Sequence, residues 1–190
     1  TTALLNARDA DDRLTDDEVL DNISLLFGAG HETTANLIGN GLLALHRNPE
    51  QLEKLKANPS LLPNAVEELL RYDSPVQLTG RTALADQDVL GQPVAKGEGV
   101  IALIAAGNHD PAAYAGDPET LDVARPGVRA ISCGGGIHTC LGAQLARIEG
   151  EIAFRSLLAR LPDLRLVDTE NVRWKPTVTL RGVVALPAVW

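Results

Sequence analysis

Apolar residues recur with helical spacing near the start of the chain, over a stretch that is long for a single helix. These positions are Val19, Leu20, Ile23, Leu26, Phe27, Leu37, Ile38, Leu42 and Leu45. Thr15 and Glu18 precede the run with the spacing of a capping box, in which each side chain binds the backbone N–H of the other residue. The pattern therefore predicts a helix from about Asp16 to His46, roughly 45 Å long at 1.5 Å per residue.

Shorter elements are predicted around this helix. Residues 1–13 resemble the end of a preceding helix and a loop. Asn48 and Pro49 have the residue types of the N-cap and first position of a second helix, and Asn64–Tyr72 predicts a third. From Val76 to Asn108, runs of Val and Ile broken by Gly and Pro indicate short strands and hairpins.

The last third of the chain begins with a polar coil and a glycine-rich loop, "SCGGGIHTC". A further helix is predicted after it from the apolar residues Leu141, Leu145, Ile148 and Ile152. The tail is strand-like. Together these patterns predict a mainly α-helical fold with small accessory β-sheets, in a single domain over residues 1–190.

The amino-acid composition limits which kinds of molecule the protein is expected to bind and where it is expected to be located. The 190 residues are 45% hydrophobic, enough for a sizeable core, and the net charge of −8 argues against nucleic acid as a partner. Two cysteines favour a reduced, cytoplasmic protein, and the apolar run "GVIALIAAG" is too short to span a membrane. The sequence has no methionine, even at its first position, so we expect a processed piece or a fragment of a longer protein.

The middle of the long helix contains residues that weaken helices. In "LLFGAGHETTANLIG", each glycine costs about 1 kcal/mol relative to alanine, and Thr33 and Thr34 are poor helix formers. A sequence that retains such residues indicates chemistry at this point. The alternative is structural, because a threonine hydroxyl in a helix often binds the carbonyl one turn earlier.

The loop "CGGGIHTCLGAQLAR" has the most specific pattern. Three glycines let the backbone approach a ligand closely, and Cys140 stands where the loop turns into the next helix. A helix N-terminus lowers the pKa of a thiol and favours the thiolate, which is the form that binds metal. The pattern therefore predicts a thiolate–metal site.

Three other interpretations of the loop remain open. Cys140 could be a buried structural thiol, the most common role of a free cysteine. Cys133, His138 and Cys140 could bind zinc, although the spacing is not a usual zinc pattern and a fourth ligand is not evident. The glycines could also bind a phosphate, but no Gly-Lys-Ser/Thr follows them.

Four stretches, in order, resemble motifs of the cytochrome P450 family of haem-thiolate monooxygenases. "GAGHETT" resembles the oxygen-activating segment of the family's long central helix, and "EELLR" its Glu-x-x-Arg motif. "LDVARP" resembles the meander that supplies a further arginine, and "GGGIHTCLGAQLAR" the haem-binding loop. The resemblance is to the C-terminal half of the soluble bacterial branch, and it implies that half of the P450 fold.

Roles follow from this resemblance. It implies that Cys140 is the axial iron ligand, that the Thr33 hydroxyl helps to bind and protonate dioxygen, and that Glu32 is the acid of the proton relay. Ala29 and Gly30 would form a widened turn where dioxygen fits. Further haem-binding residues are Arg81 and His138, at positions that contact the propionates, together with Gly134 and Gly142.

The resemblance also implies a structural network of Glu68, Arg71 and Arg125 that braces the haem loop. Without the resemblance, Glu68 and Arg71 would be read as an exposed helix pair. The chain departs from the family at Cys133, where phenylalanine is usual, and at Ala130, where many bacterial members have histidine. The Cys133 thiol is expected to shield the ligand sulfur less well than a phenylalanine ring.

The implied function is oxidation of a small apolar organic substrate with dioxygen at haem b. Electrons would come from NAD(P)H through a ferredoxin- or flavodoxin-type partner, and neither nucleic acid nor membrane is an expected partner. Substrate contacts are expected, besides Ala29, from Leu26, Val76, Leu78, Val178 and Thr179. The alternatives are a non-catalytic fragment or haem-binding remnant that lacks the N-terminal half, and a zinc-stabilised structural module.

Overall fold

The computed structural model describes residues 14–190, so the predicted lead over residues 1–13 lies outside the described residues. The α-helices are α1 (Asp16–Arg47), α2 (Pro49–Ala57), α3 (Leu62–Tyr72), α4 (Ile104–Gly107) and α5 (Ala143–Arg160). Short 3₁₀ turns cover Pro59–Leu61 and Gly136–His138. The strands are β1 (Thr79–Thr82), β2 (Gln87–Val89), β3 (Gln92–Val94), β4 (Gly99–Ala102), β5 (Arg165–Leu166) and β6 (Ala188–Val189). The prediction of a mainly helical fold with small sheets is confirmed.

Helix α1 begins and ends almost where the apolar pattern predicts. The capping box is present, with the Glu18 backbone N–H donating to the Thr15 hydroxyl at 3.2 Å and the Thr15 N–H donating to the Glu18 carboxylate at 2.8 Å. The helix extends one residue past the prediction, to Arg47. Its C-terminal half is largely buried, whereas Leu25, Leu26 and Phe27 in its N-terminal half are exposed.

The core lies where α1, α3 and α5 pack together. Its buried members are Leu37, Ala44, Leu45, Leu52, Leu55, Leu62, Ala65, Val66, Leu69, Leu70, Leu121, Val123 and Phe154. Two glycines allow the close approach of these helices. A Cβ on Gly41 would lie 2.6 Å from Cζ of Phe154, and one on Gly150 would lie 3.2 Å from Val66. The chain has few aromatic side chains to fill its core, and the core is close-packed because the helices approach each other at short distances.

The second helix begins where predicted, with Asn48 at the N-cap and Pro49 at the first position of α2. The Asn48 side chain makes no capping bond, and its amide donates to the carbonyl of Ala44 at 2.8 Å instead.

One prediction about the strands is corrected. The apolar run "GVIALIAAG" is not all strand, because it divides into β4 and the short helix α4. In α4 the Gly107 N–H donates to the carbonyl of Leu103 at 3.0 Å, and the Ala105 N–H donates to the carbonyl of Gln77 at 3.1 Å.

The strands form three separate antiparallel pairs. β1 pairs with β4, with Thr79 opposite Ala102, β2 forms a hairpin with β3, and β5 pairs with β6. An isolated bridge between Val76 and Leu180 brings the C-terminal tail beside the segment that follows α3. Within residues 14–190, none of the helices is both long and apolar enough to cross a bilayer.

Candidate functional site

The glycine-rich loop turns back on itself and presents Cys140. The N–H of Cys140 donates to the carbonyl of Cys133 at 2.9 Å. Gly134 and Gly136 make this turn possible with φ angles of 66° and 64°, a region that disfavours other residues. Gly142 is the N-cap of α5, so Cys140 precedes the helix by a short turn and its side chain is exposed. This exposure argues against a buried structural role for the Cys140 thiol.

The second cysteine occupies a different environment beside the first. Cys133 is half-buried, and this burial raises the pKa of its thiol above the usual range, although the nearby Arg147 guanidinium acts in the opposite direction. The zinc interpretation is contradicted, because the described part of the chain contains no group of three His, Cys, Asp or Glu side chains that could hold a metal ion.

On the central helix, Thr33 makes the hydrogen bond expected from the structural alternative. Its hydroxyl donates to the carbonyl of Ala29 at 2.7 Å. The helix is continuous through Ala29 and Gly30, so the structure has regular α-helix where the resemblance implied a widened turn. Because the hydroxyl bond to Ala29 fits within a regular turn, it does not require the helix to open. Ala29 and Gly30 are nevertheless exposed, and a Cβ at Gly30 would meet no atom within 4 Å.

Glu32 has a partner that the sequence analysis did not identify. Nζ of Lys175 lies 2.9 Å from Oε1 of Glu32 and 2.9 Å from Oδ1 of Asn36. Lys175 comes from the C-terminal tail, so this contact ties the middle of α1 to the end of the chain. No short-range pattern in the sequence connects two residues so far apart.

Glu68, Arg71 and Arg125 are brought together in a buried cluster. The Glu68 carboxylate accepts from Nε and Nη2 of Arg71 at 2.7 and 2.9 Å, and from Nε of Arg125 at 3.1 Å. Glu68 and Arg71 are fully buried and Arg125 is nearly so. Two guanidinium groups around one carboxylate satisfy its oxygens, which a buried charge requires.

Asn108 links this cluster to the cysteine loop, and the sequence analysis did not identify it. Its carbonyl accepts from Nη1 of Arg71 at 2.9 Å. Its side chain accepts from the N–H of Ile131 at 2.8 Å and donates to the hydroxyls of Ser74 and Ser132 at 2.7 and 2.8 Å. Ser132 directly precedes Cys133, so a fully buried amide holds the start of the loop.

Glu67 holds the same loop from the other side. Its carboxylate accepts from the N–H of Ala130 at 2.8 Å and from Nε of Arg147 at 2.7 Å. The hydrogen bond to Glu67 raises the pKa of Arg147. Because Glu67 lies beside the Glu-x-x-Arg motif, its own contacts could be identified only once α5 was placed next to α3.

The remaining predicted contacts are distributed over the surface. Arg81 and His138 are both exposed, and Nη1 of Arg81 donates to the Thr79 hydroxyl at 2.9 Å. Val76 and Leu78 lie beside Val178 and Thr179, because the Gln77 N–H donates to the carbonyl of Thr179 at 2.8 Å. Leu26 is exposed on α1.

The chemistry of these side chains fits a haem. Haem needs an axial ligand for iron, an apolar surface for its macrocycle and donors for its carboxylates. Cys140 presents an exposed thiol, and Arg81 and His138 supply exposed donors. Large apolar side chains are exposed on the same elements: Leu25, Leu26 and Phe27 on α1, and Ile137, Leu141, Leu145, Ile148 and Ile152 in the loop and on α5. Large apolar side chains left exposed in this number are typical of a surface that binds another apolar group.

A helix is present as α5 where Leu141, Leu145, Ile148 and Ile152 predict one, but these apolar side chains do not provide its contacts with the core. Their side chains are between 44% and 88% exposed, and Phe154 and Gly150 provide the core contacts instead. The helix thus has a second apolar face that its own chain leaves uncovered within residues 14–190.

Comparison with known proteins gives a consistent result. The family model described as Cytochrome P450 matches residues 1–172. The chain is 48% identical over 190 residues to cytochrome P450 CYP107DY1 of Priestia megaterium, covering all of this chain and 46% of that protein. The chain therefore spans about half the length of the curated relatives it matches.

Solved structures agree with the sequence match. The crystal structure of P450BioI in complex with hexadec-9Z-enoic acid ligated acyl carrier protein matches with a TM-score of 0.92 and 43% identity, over 100% of this chain and 47% of that one. The tirandamycin C-bound P450 monooxygenase TamI matches with a TM-score of 0.91 and 47% identity, over 98% of this chain and 47% of that one. By fold and by sequence, this chain belongs to the cytochrome P450 family.

Proposed function

We propose that this chain is the haem-binding portion of a bacterial cytochrome P450 monooxygenase, and that residues 1–190 form a single, partial domain of it. The observation that supports this most is the exposed Cys140 thiol, on a loop held by Asn108 and Glu67, in a chain whose helices α1 and α5 both leave large apolar side chains exposed. A haem ligated by a thiolate supplies the activation of dioxygen when it is bound. The cytoplasmic location predicted from the cysteine content belongs to the same proposal.

The chain's own residues would orient this cofactor. The Cys140 sulfur would bind iron, and Gly134 and Gly142 would keep the backbone close to the macrocycle without side chains in the way. Arg81 and His138 would donate to the propionates. The exposed apolar side chains would exclude water from the faces of the ring.

Thr33 and Glu32, both on α1, would hold and transfer protons in the site. The Thr33 hydroxyl donates to Ala29, so its oxygen keeps lone pairs that can accept a further hydrogen bond. Glu32 pairs with Lys175, which holds its partly exposed carboxylate beside α1. Release of Glu32 from Lys175 would then be needed before the carboxyl group could turn towards Thr33.

The substrate class is proposed from the positions of small aliphatic residues. Leu26, Val76, Leu78, Val178 and Thr179 would line the substrate site together with Ala29. These residues favour an apolar group. Such a group need not be a free small molecule, because the solved relative P450BioI is in complex with an acyl carrier protein ligated to hexadec-9Z-enoic acid. We therefore propose an apolar organic substrate, either free or attached to a carrier.

The electron donor is proposed to be a ferredoxin- or flavodoxin-type protein that transfers electrons from NAD(P)H. Membership of the cytochrome P450 family supports a separate redox partner of this kind.

The test is the reduced carbon monoxide complex of the protein loaded with haem. A thiolate-type Soret band should appear, disappear in Cys140→Ser and persist in Cys133→Ser. The Cys133→Ser variant is the matched control, because it removes the other thiol of the same loop. A thiolate-type band in Cys140→Ser would overturn the assignment.

A second candidate is a non-catalytic fragment or haem-binding remnant. The exposed apolar face of α5 favours it, since a surface that is open in this chain would leave a bound haem accessible to water. The two candidates differ in turnover. A remnant would give the thiolate-type band but no oxidised product when supplied with an electron donor, whereas product formed by the 190-residue chain would exclude it.

A further inference from the structure

The hairpin of β2 and β3 ends in a leucine that is held in an unfavourable backbone conformation. Val89 pairs with Gln92, so Leu90 and Gly91 alone form the turn, with φ angles of 53° and 83°. A two-residue turn of this kind needs a positive φ at both positions, which favours Asn-Gly and disfavours leucine. Among residues 14–190, Leu90 is the one non-glycine residue with a positive φ.

No contact within the chain offsets this strain. The Leu90 side chain is 99% exposed, so the turn does not place it in the core. Asp88 accepts from the Gly91 N–H at the tip, and Asp86 accepts from the Lys96 N–H at the base of the hairpin, each at 2.8 Å. The tip therefore presents an apolar side chain beside carboxylates, and strain at such an exposed position indicates a contact outside the chain's own packing.

An apolar cavity with cations at its edge lies between α2, α3 and α5. Its volume is about 150 Å³, and its walls include the buried Leu55 and Leu62 together with Leu158. A closed apolar cavity of about this volume holds a benzene molecule, so the side chain of a leucine fits the space. Lys56 and Arg155 line the same cavity.

These two cations leave donors for a further anion. Nζ of Lys56 lies 2.9 Å from Oε1 of Glu53, which uses one of its three N–H donors. Arg155 is exposed and forms no salt bridge with another residue in the part of the chain that the structure describes. In a chain of net charge −8, two cations beside an apolar cavity favour a partner surface that is both apolar and acidic.

We propose that the hairpin of one copy of this chain docks into this cavity of a second copy, with Leu90 in the cavity and Asp88 facing Arg155. The contact joins two different surfaces of the chain, so the copies associate head to tail. Leu90 does not fill the cavity of its own chain, because its side chain is exposed. Neither surface contains residues assigned to haem, so the association does not rest on the proposed function. A contact of this small size is weak and depends on concentration.

Sedimentation of the 190-residue chain under reducing conditions, at concentrations up to about 1 mM, measures the association. Leu90→Asn removes the apolar side chain and retains the turn, because asparagine accepts a positive φ, and Arg155→Glu reverses a charge at the cavity. We expect each variant to raise the dissociation constant by about tenfold or more. The matched controls are Leu84→Asn, at a leucine that is 87% exposed, and Arg160→Glu, at another exposed arginine of α5. Each control should change the constant by less than about twofold.

Mixing the two variants separates a specific contact from a general loss of folding. Leu90→Asn keeps the cavity and Arg155→Glu keeps the hairpin, so an equimolar mixture should form mixed dimers with the dissociation constant of the unmodified contact. Nothing larger should form, because the other end of each variant is blocked. A fluorescent label on one variant identifies the mixed dimer.

Three results would overturn the inference. The unmodified chain could stay monomeric, or the mixture could associate no more tightly than either variant alone. Association that persists unchanged in Leu90→Asn would place the contact elsewhere, on the exposed apolar faces of α1 and α5. In each case the carbon monoxide test of Cys140 is unaffected, so the failure of this inference is distinct from the failure of the proposed function.

Discussion

Arg71 donates to both carboxylate oxygens of Glu68 at 2.7 and 2.9 Å, and neither side chain is exposed to solvent. Two residues three positions apart on a helix commonly form a weak surface pair. Here the pair is enclosed by the segment from Asn108 to Arg125, so the same spacing gives a buried ion pair that supports the loop carrying Cys140. Burial, rather than the spacing of the motif, determines how much this contact contributes to stability.

Glu68→Gln should destabilise the chain strongly. The amide retains the size of the carboxylate but leaves Arg71 and Arg125 buried without an anion, which costs about 3–5 kcal/mol in the free energy of unfolding. Glu53→Gln is the matched control, because Glu53 also pairs with a cation three residues away, Lys56, but is 68% exposed. Its cost should stay below about 1 kcal/mol. Urea unfolding of both variants measures this, and equal losses would contradict the buried-network interpretation.

The same substitution at two glycines of α1 should have opposite effects. Gly41→Ala places a methyl group 2.6 Å from Cζ of the buried Phe154 and should cost about 1–3 kcal/mol in stability. Gly30→Ala meets no atom within 4 Å and should stabilise the haem-free helix by up to about 1 kcal/mol. Thermal unfolding of the two variants tests this. A loss of stability in Gly30→Ala would contradict this, because it would show that the space for the added methyl group is already filled in solution.

Asn108→Ala should loosen the start of the cysteine loop. The variant removes the acceptor of the Ile131 N–H, which costs about 1–3 kcal/mol for a buried group left unpaired, while the hydroxyls of Ser74 and Ser132 keep their bonds to the carbonyl of Leu70. Hydrogen exchange at the Ile131 amide should become faster. Asn171→Ala is the control, since that exposed amide bonds only locally to Asp168, and Ile131 should exchange in it as in the unmodified chain.

Asp73 should contribute a pH dependence to stability. Burial raises its pKa above 3.8, and the Arg181 guanidinium offsets this only in part. A carboxyl group with a raised pKa in the folded state binds protons more tightly when folded. Its contribution is therefore fully present below the unfolded pKa and is lost as the pH rises through the folded pKa. Unfolding free energies measured from pH 3 to 7 should show this decline relative to Asp73→Asn, and parallel curves for the two proteins would contradict it.

Local patterns were sufficient for the elements whose determinants lie close together in the chain. The capping box of Thr15 and Glu18 and the helical spacing after it predicted α1 to within one residue of its end. The cysteine loop was recognisable because its glycines and Cys140 form one continuous motif. Each of these features depends on residues within a few positions of one another, and backbone geometry alone relates them.

Contacts between segments that are distant along the chain could not be predicted from local patterns. Lys175 meets Glu32, Asn108 joins Arg71 to Ser132, and Glu67 reaches Arg147, each across a large separation along the chain. The exposed apolar face of α5 is a related case, because helical periodicity shows that a face is apolar but not whether anything covers it.

Helix ends and the turn at the glycines were thus determined by the order of residues along the chain. Packing of α1 against α3 and α5 decided which charges are buried, which hydroxyl or amide holds the loop and which apolar face stays open. The physical reason is that burial and pairing depend on the distance between segments in space. That distance is set only when the helices come together around Leu37, Val66 and Phe154.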